Sequence, residues 1–294
     1  MADDNDSCNQ NSVNILSLQS WVAYGHVGNA AAIFPLQRLG AEVWAVHTVQ
    51  FSNHTGYGDW AGEVFSAKTI SALVEGIARR GAFARCDAVL SGYLGAREIG
   101  EAVLGAVSKA KAANPRALYC CDPVIGDSDG GVYVAPEIPD FLRARALPAS
   151  DIALPNPFEL SLLTEMPCGT LREAKQALSR LRTMGPRIVL VSGLRTEATP
   201  ADALDLLVGE EGAFYLLRTP LSPVAVNGAG DVLAALFLFH FLANGSARRA
   251  LEAAASSLYG LIRRTADSGA RELTLVAAQQ EFVCPSWPFT AIAC

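Results

Sequence analysis

The stretch Val226-Asn227-Gly228-Ala229-Gly230-Asp231 runs straight into an apolar segment, Val232 to Leu242. Two glycines and an acid therefore open what reads as a buried helix. A helix N-terminus presents unpaired N–H groups and a partial positive charge, so it holds anions. Gly228 and Gly230 let a phosphate approach the backbone, and Asp231 beside them is placed to accept a proton. That combination suits phosphoryl transfer to a hydroxyl. The plainer reading is a helix-opening turn with Asp231 compensating the helix dipole, which by itself would keep the acid ionised at neutral pH. Two further clusters bear on the choice. Asp122-Pro123-Val124-Ile125-Gly126-Asp127 places two acids around a strand end, and Asn156-Pro157-Phe158-Glu159 places an amide and a carboxylate at another. Such oxygen donors suit Mg²⁺ shared with a triphosphate. Alternatively, Asp122 caps a turn and Glu159 lies in the first turn of a helix.

These residues need a scaffold that gathers strand ends. Apolar runs at Val13–Leu18, Glu42–Thr48, Ala88–Leu90, Leu118–Cys121, Asp151–Leu154 and Arg187–Val191 read as strands. Between them, Gly25–Leu39 reads as a loop leading into a helix with a kink at Pro35, and Ala67–Arg80, Ala96–Ala113 and Thr170–Met184 carry helical patterns. Leu204–Leu207 and Ala213–Leu217 read as an antiparallel edge pair, and two helices flank Gly245. Phe51–Trp60 and Gly126–Gly131 read as loops. This alternation predicts an α/β fold with a mostly parallel central sheet and helices on both faces. Polar residues cluster just after the strands: Ser20, Asn53 to Gly58, Tyr93, Asp122 and Asn156. In open α/β sheets that is where ligands bind.

Composition narrows the function classes. The 294 residues are 51% hydrophobic, enough for one large domain over residues 13–294. Residues 1–12 read as a polar, disordered tail without the apolar core of a signal peptide. The net charge of −6 carries no basic block, which argues against nucleic-acid or anionic-membrane partners. The longest apolar run is too short to span a bilayer. Seven cysteines without a CxxC pair point to a reducing cytoplasm, not to disulfides or zinc. Cys120 and Cys121 read as buried apolar residues, and His240 as a satisfied core histidine. His54 reads as shaping its loop. The four histidines lack ligand spacing, and no GxxxxGK[ST] or GxGxxG occurs. No Ser/His/Asp arrangement is legible, so acyl transfer has no support.

Longer segments carry a resemblance. Gln19-Ser20-Trp21-Val22-Ala23-Tyr24-Gly25-His26-Val27-Gly28-Asn29, Val49 to Gly58, Leu90 to Gly95, Cys121 to Asp127 and Asn227 to Asp231 together resemble the pyridoxal kinase family. The likeness runs from about Val13 through both C-terminal helices. Phe51–Tyr57 is its most specific part, whereas Gly-Ala-Gly-Asp marks only the wider ribokinase-like superfamily. The resemblance implies a ribokinase-like fold and ATP-dependent phosphorylation of the 5′-hydroxyl of pyridoxal, pyridoxamine or pyridoxine in B6 salvage. It also implies Mg²⁺, a K⁺-type ion and a homodimer.

By the same resemblance, Asp231 matches the catalytic base and Gly228, Ala229 and Gly230 the anion hole. Ser20, Thr55 and Tyr93 match substrate contacts. Asp122 and Glu159 match the metal and phosphate region, with Asn156 in support. Asp127 and Tyr133 begin and end a segment like the family's flap. Ser192, Thr219 and Ser222 fall in the ATP region. Three departures stand out: Trp21 replaces a usual His and is bulky enough to alter ring stacking or close the pocket, Ala229 replaces Thr or Val, and Ser192 replaces a Lys found in some members. A hydroxymethylpyrimidine kinase of the same fold is the alternative activity. A non-catalytic B6-binding protein is the alternative of another class.

Overall fold

The computed structural model describes residues 13–222 and 224–294. The tail expected over residues 1–12 lies outside the described residues. In chain order the elements are β1 (Asn14–Val22), α1 (Asn29–Arg38), β2 (Glu42–Phe51), β3 (Gly62–Val64), α2 (Ala67–Ala78), β4 (Ala88–Ser91), α3 (Arg97–Ala113) and β5 (Leu118–Cys121). A small hairpin follows, β6 (Gly126–Asp127) and β7 (Gly131–Val132). Then come α4 (Ile138–Phe141), a π turn (Leu142–Ala146), α5 (Leu147–Ala149), β8 (Ile152–Ala153), α6 (Pro157–Thr164), α7 (Leu171–Arg182) and β9 (Ile188–Leu194). The chain closes with β10 (Ala203–Glu210), β11 (Ala213–Pro220), α8 (Ala229–Asn244), α9 (Ala247–Ser268), α10 (Gln280–Val283) and β12 (Ile292–Ala293).

One sheet gathers the long strands in the order β12-β11-β10-β9-β8-β5-β4-β1-β2-β3. Its centre, from β2 to β9, is parallel. Both flanks are antiparallel, with β3 on β2 at one edge and β10, β11 and β12 at the other. The α/β reading with a mostly parallel sheet therefore holds, as does the antiparallel pair at Leu204–Leu207 and Ala213–Leu217.

Strand pleating sorts the core into two layers. Ile15, Ala88, Leu90, Cys120, Ile152, Ile188 and Leu190 pack with α1, α8 and α9. Their chain neighbours Leu16, Val89, Cys121, Ala153, Val189 and Val191 pack with α2, α3 and α7 on the other face. Central strands of this kind are apolar on both sides, which explains their unbroken hydrophobic runs. Cys120 and Cys121 are fully buried in opposite layers and burial pushes both thiols up, so they serve as small apolar residues.

Helix ends follow local side-chain chemistry. Asn156 and Glu159 form a capping box at the start of α6, and Thr170 with Glu173 does the same for α7. The apolar run after Asp231 forms α8, buried from Val232 to Leu238, and Gly245 ends it in the left-handed region. His240 corrects the sequence reading: its Nε2 is buried without a hydrogen-bond partner, and burial lowers its pKa, so the ring is neutral.

Candidate active site

A cavity of about 730 Å³ opens beyond the carboxyl ends of the parallel strands, within the range of small-ligand sites. β1 supplies Ser20 and Val22 to its wall. Strand alternation turns Trp21 the other way, where its ring lies 4.8 Å from the His47 ring. The sequence left room for the indole to close the pocket; the pleat of β1 keeps it out.

The Gly-Ala-Gly-Asp stretch forms the floor. Gly228 is the N-cap of α8 with φ 82°, Ala229 is the first helical residue, and Gly228, Gly230 and Asp231 line the cavity. A Cβ at position 228 would overlap the carbonyl oxygen of His26, so the turn needs glycine for both shape and space. Gly230 has open space around its Cα, which leaves the N–H groups of the first turn of α8 approachable. The Asp231 pKa is pushed up to about 6 by desolvation, against the pull of the Gly28 and Asp231 backbone N–H groups. This reverses the dipole-based expectation: burial outweighs the helix terminus. The group still is mostly ionised at pH 7, with its proton affinity tuned towards neutrality.

Asp122 follows β5 and is 8% exposed. Among the described residues its carboxylate has no hydrogen-bond partner. Burial, with Glu159 and Asp231 nearby, pushes its pKa well up. Glu159 behaves differently. One of its oxygens accepts from Ile125 N–H at 2.9 Å and the other from Asn156 N–H at 2.9 Å. It therefore ties the start of the β6–β7 hairpin to the start of α6, and burial pushes its pKa to about 7. The Asn156 side chain donates to the Gly126 carbonyl at 2.7 Å and accepts from Glu159 N–H at 2.9 Å. The capping reading of this stretch is thus observed, and the capping residues Asn156 and Glu159 also line the cavity.

The opposite wall is aromatic and apolar. Thr55 and Tyr93 line it as the sequence indicated, and Val27, Val49, Phe51 and Trp60 join them. The Phe51 and Trp60 rings lie 4.1 Å apart. Those apolar positions carry no chemical signature in linear order, although Val27, Val49 and Phe51 fall within the segments singled out by resemblance. His54 shapes its loop as expected, its Nδ1 accepting from Gly56 N–H at 3.1 Å, and it also lines the cavity. The expected Gly126–Gly131 loop is the β6–β7 hairpin, turned by the Asp127 carboxylate accepting from the Asp129 N–H at 3.0 Å and the Gly130 N–H. Asp127 and Tyr133, at its two ends, both face the cavity. Ser192, in β9, lines it too. Thr219 is buried in β11 and Ser222 lies in the loop after it; neither lines the cavity.

The donor set fits a divalent cation that arrives with phosphate. Among the described residues no cluster of three metal-ligating side chains occurs. Asp122 offers one unpartnered carboxylate, and Glu159 is already committed to backbone. Mg²⁺ is held in this way, by one or two carboxylates with water and substrate oxygens.

Comparison with known proteins meets this geometry. The family model described as phosphomethylpyrimidine kinase matches residues 45–275. Pyridoxal kinase PdxY of Granulibacter bethesdensis is 60% identical over 286 residues, covering 96% of this chain and 100% of that protein. The chain belongs to the pyridoxal kinase family. Pyridoxal kinase PdxY of Deinococcus radiodurans is 53% identical over 95% of both chains. The solved pyridoxal kinase of Leishmania donovani in complex with ADP and pyridoxamine superposes with a TM-score of 0.89 at 29% identity, covering 96% of this chain and 99% of that one. A ribokinase-like fold is therefore shared over nearly the full length. Among the described residues no helix is long and apolar enough to cross a membrane.

Proposed function

We propose that this chain is an ATP-dependent pyridoxal kinase that phosphorylates the 5′-hydroxyl of pyridoxal, with pyridoxamine and pyridoxine as further substrates. The observation that carries this reading is one cavity with two unlike ends. Asp231 and the start of α8 form the polar end, and Phe51, Trp60, Val27 and Val49 form a wall suited to a flat aromatic ring.

In this reading Ser20, Thr55 and Tyr93 position the pyridine ring and its substituents. Asp231 takes the hydroxyl proton as the oxygen bonds to the γ-phosphorus, the β–γ bridging bond breaks, and ADP leaves. The N–H groups at Gly228, Ala229 and Gly230 stabilise the charge on the transferring phosphoryl group. Asp122 would hold Mg²⁺, with Glu159 and Asn156 fixing the strand ends around it. When bound there, Mg²⁺ would neutralise phosphate charge. Ser192 faces the nucleotide side, with Thr219 and Ser222 beyond it, and the Asp127–Tyr133 hairpin covers the site. A K⁺-type ion and a homodimer, as the family resemblance implies, and a cytoplasmic setting, as the cysteine usage suggests, complete the reading.

Hydroxymethylpyrimidine kinase is the second reading, favoured by the description of the matching family model. A panel of pyridoxal, pyridoxamine, pyridoxine and hydroxymethylpyrimidine with Mg-ATP separates the two. Preferred turnover of a B6 vitamer is the expected result. Preferred turnover of the pyrimidine overturns it, and binding without turnover points to the B6-binding alternative.

A further inference from the structure

Glu272 lies outside the motifs that form the cavity and does not line it. It follows α9, three residues past the capping Gly269, and the buried Leu273 and Leu275 beside it fix the segment to the core. From there its carboxylate reaches two stretches of the N-terminal half. One oxygen accepts from Tyr57 O–H at 2.5 Å, and the other accepts from the backbone N–H of His26 at 3.2 Å.

Both partners belong to walls of the cavity. Tyr57 ends the short 3₁₀ turn Thr55–Tyr57, whose Thr55 and Gly56 line the pocket next to His54. His26 belongs to the segment between β1 and α1. Its carbonyl rests against Gly228, and two residues later Gly28 N–H faces the Asp231 carboxylate. The close approach of Glu272 also needs Gly25: a Cβ there would stand 2.5 Å from a carboxylate oxygen, on a backbone with φ +88°. One side chain thus joins the loop at the ring end of the cavity to the segment that abuts its phosphoryl end.

We infer that Glu272 is a positioning residue that clamps the 54–57 turn to the 25–28 segment, and so sets the placement of the pyridine ring relative to Asp231. The inference rests on the pyridoxal kinase reading for its kinetic consequence, but not for the clamp itself. Glu272 touches no reacting atom. Its two bonds need an acceptor for His26 N–H and a partner for the Tyr57 hydroxyl. Gln meets both needs, since its amide oxygen accepts and its NH₂ donates to the phenol oxygen. Ala meets neither.

The test compares E272A, E272Q, Y57F and the double variant E272A/Y57F with the wild type. Tyr57 is 43% exposed, so Y57F leaves the fold intact and serves where E272A fails to express. Amide hydrogen exchange over residues 52–58 is read first, without substrate. Faster exchange in E272A and Y57F, with E272Q near wild type, is the expected result. Unchanged exchange in E272A overturns the clamp whatever the enzyme's activity. Kinetics are read second. E272A and Y57F should raise KM for pyridoxal about five- to tenfold, the size of a lost charge-assisted bond in a half-exposed setting. KM for ATP in Y57F should stay within about twofold of wild type. The double variant should match E272A. Effects that add in full, or an E272Q as impaired as E272A, overturn the positioning role. A wild type that does not turn over pyridoxal defeats the kinase reading and leaves the exchange result standing.

Discussion

The bare Cα of Gly228 rests against the carbonyl oxygen of His26, leaving no room for a side chain between the start of α8 and the segment before α1. Gly230, two residues on, has nothing within 4 Å of where a Cβ would stand. The two glycines of one motif therefore predict opposite outcomes. G228A should lose about 1–3 kcal/mol from the left-handed backbone alone, with the overlap adding to it. G230A should keep or raise the melting temperature, because Ala is favoured over Gly inside a helix by about 1 kcal/mol. Thermal unfolding of the two variants checks this. An activity loss in G230A then reports on phosphate approach and not on folding.

With Asp231 as the proposed base, its ionisation should set the acid side of the rate profile. Its pKa lies near 6, and only the ionised form can take the hydroxyl proton. Turnover should therefore be full above about pH 7 and fall as pH drops through 6. Glu159, pushed to about 7, should broaden that limb. D231N should lose about 10²–10⁴-fold in kcat while ATP still binds. Rate measurements from pH 5 to 9, with nucleotide binding by calorimetry, check both statements. A D231N enzyme with wild-type turnover removes the residue from the mechanism.

Asp122 should cost the unliganded protein stability. Its folded pKa is raised, by burial first and then by Glu159 and Asp231. The sign follows directly: below the unfolded value near 3.9 both states are protonated and no penalty exists, and the penalty grows as pH rises from there towards the folded value. At pH 7 D122N should raise the melting temperature, by about 2–4 °C for each kcal/mol relieved, while lowering activity. At pH 4 the gain should shrink towards zero. Scans of wild type and variant at the two pH values give the answer.

Trp21 faces His47 and not the cavity. Reverting it to the usual family residue, W21H, should change KM for pyridoxal by less than about twofold, since no substrate contact is altered. Stability should fall by about 1 kcal/mol from the lost ring contact. A large KM shift would mean that position 21 reaches the substrate after all.

The order of strands and helices was legible because central strands are apolar on both faces and the helices between them carry their own periodicity. The polar strand ends were legible for the same reason: Ser20, Tyr93, Asp122 and Asn156 interrupt apolar runs. Short elements were not. β3 and β12 are each three residues or fewer and hold only by pairing with β2 and β11, which no local pattern announces. β1 and β2 run past their apolar stretches because Trp21 pairs with Gln50 and Val22 with Phe51. The direction of Trp21 needed the pleat of β1, and the raised pKa of Asp231 needed its burial. Glu272 was invisible in linear order, since its partners stand more than two hundred residues away.

Trp60 packs on Phe51 at the cavity wall with its indole 46% exposed. The site thus carries its own fluorophore. A pyridine ring seated beside it should quench the emission, so that occupancy is followed without label, coupling enzyme or turnover. Trp21, Trp44 and Trp287 do not line the cavity, and W60F marks which part of the signal comes from the pocket.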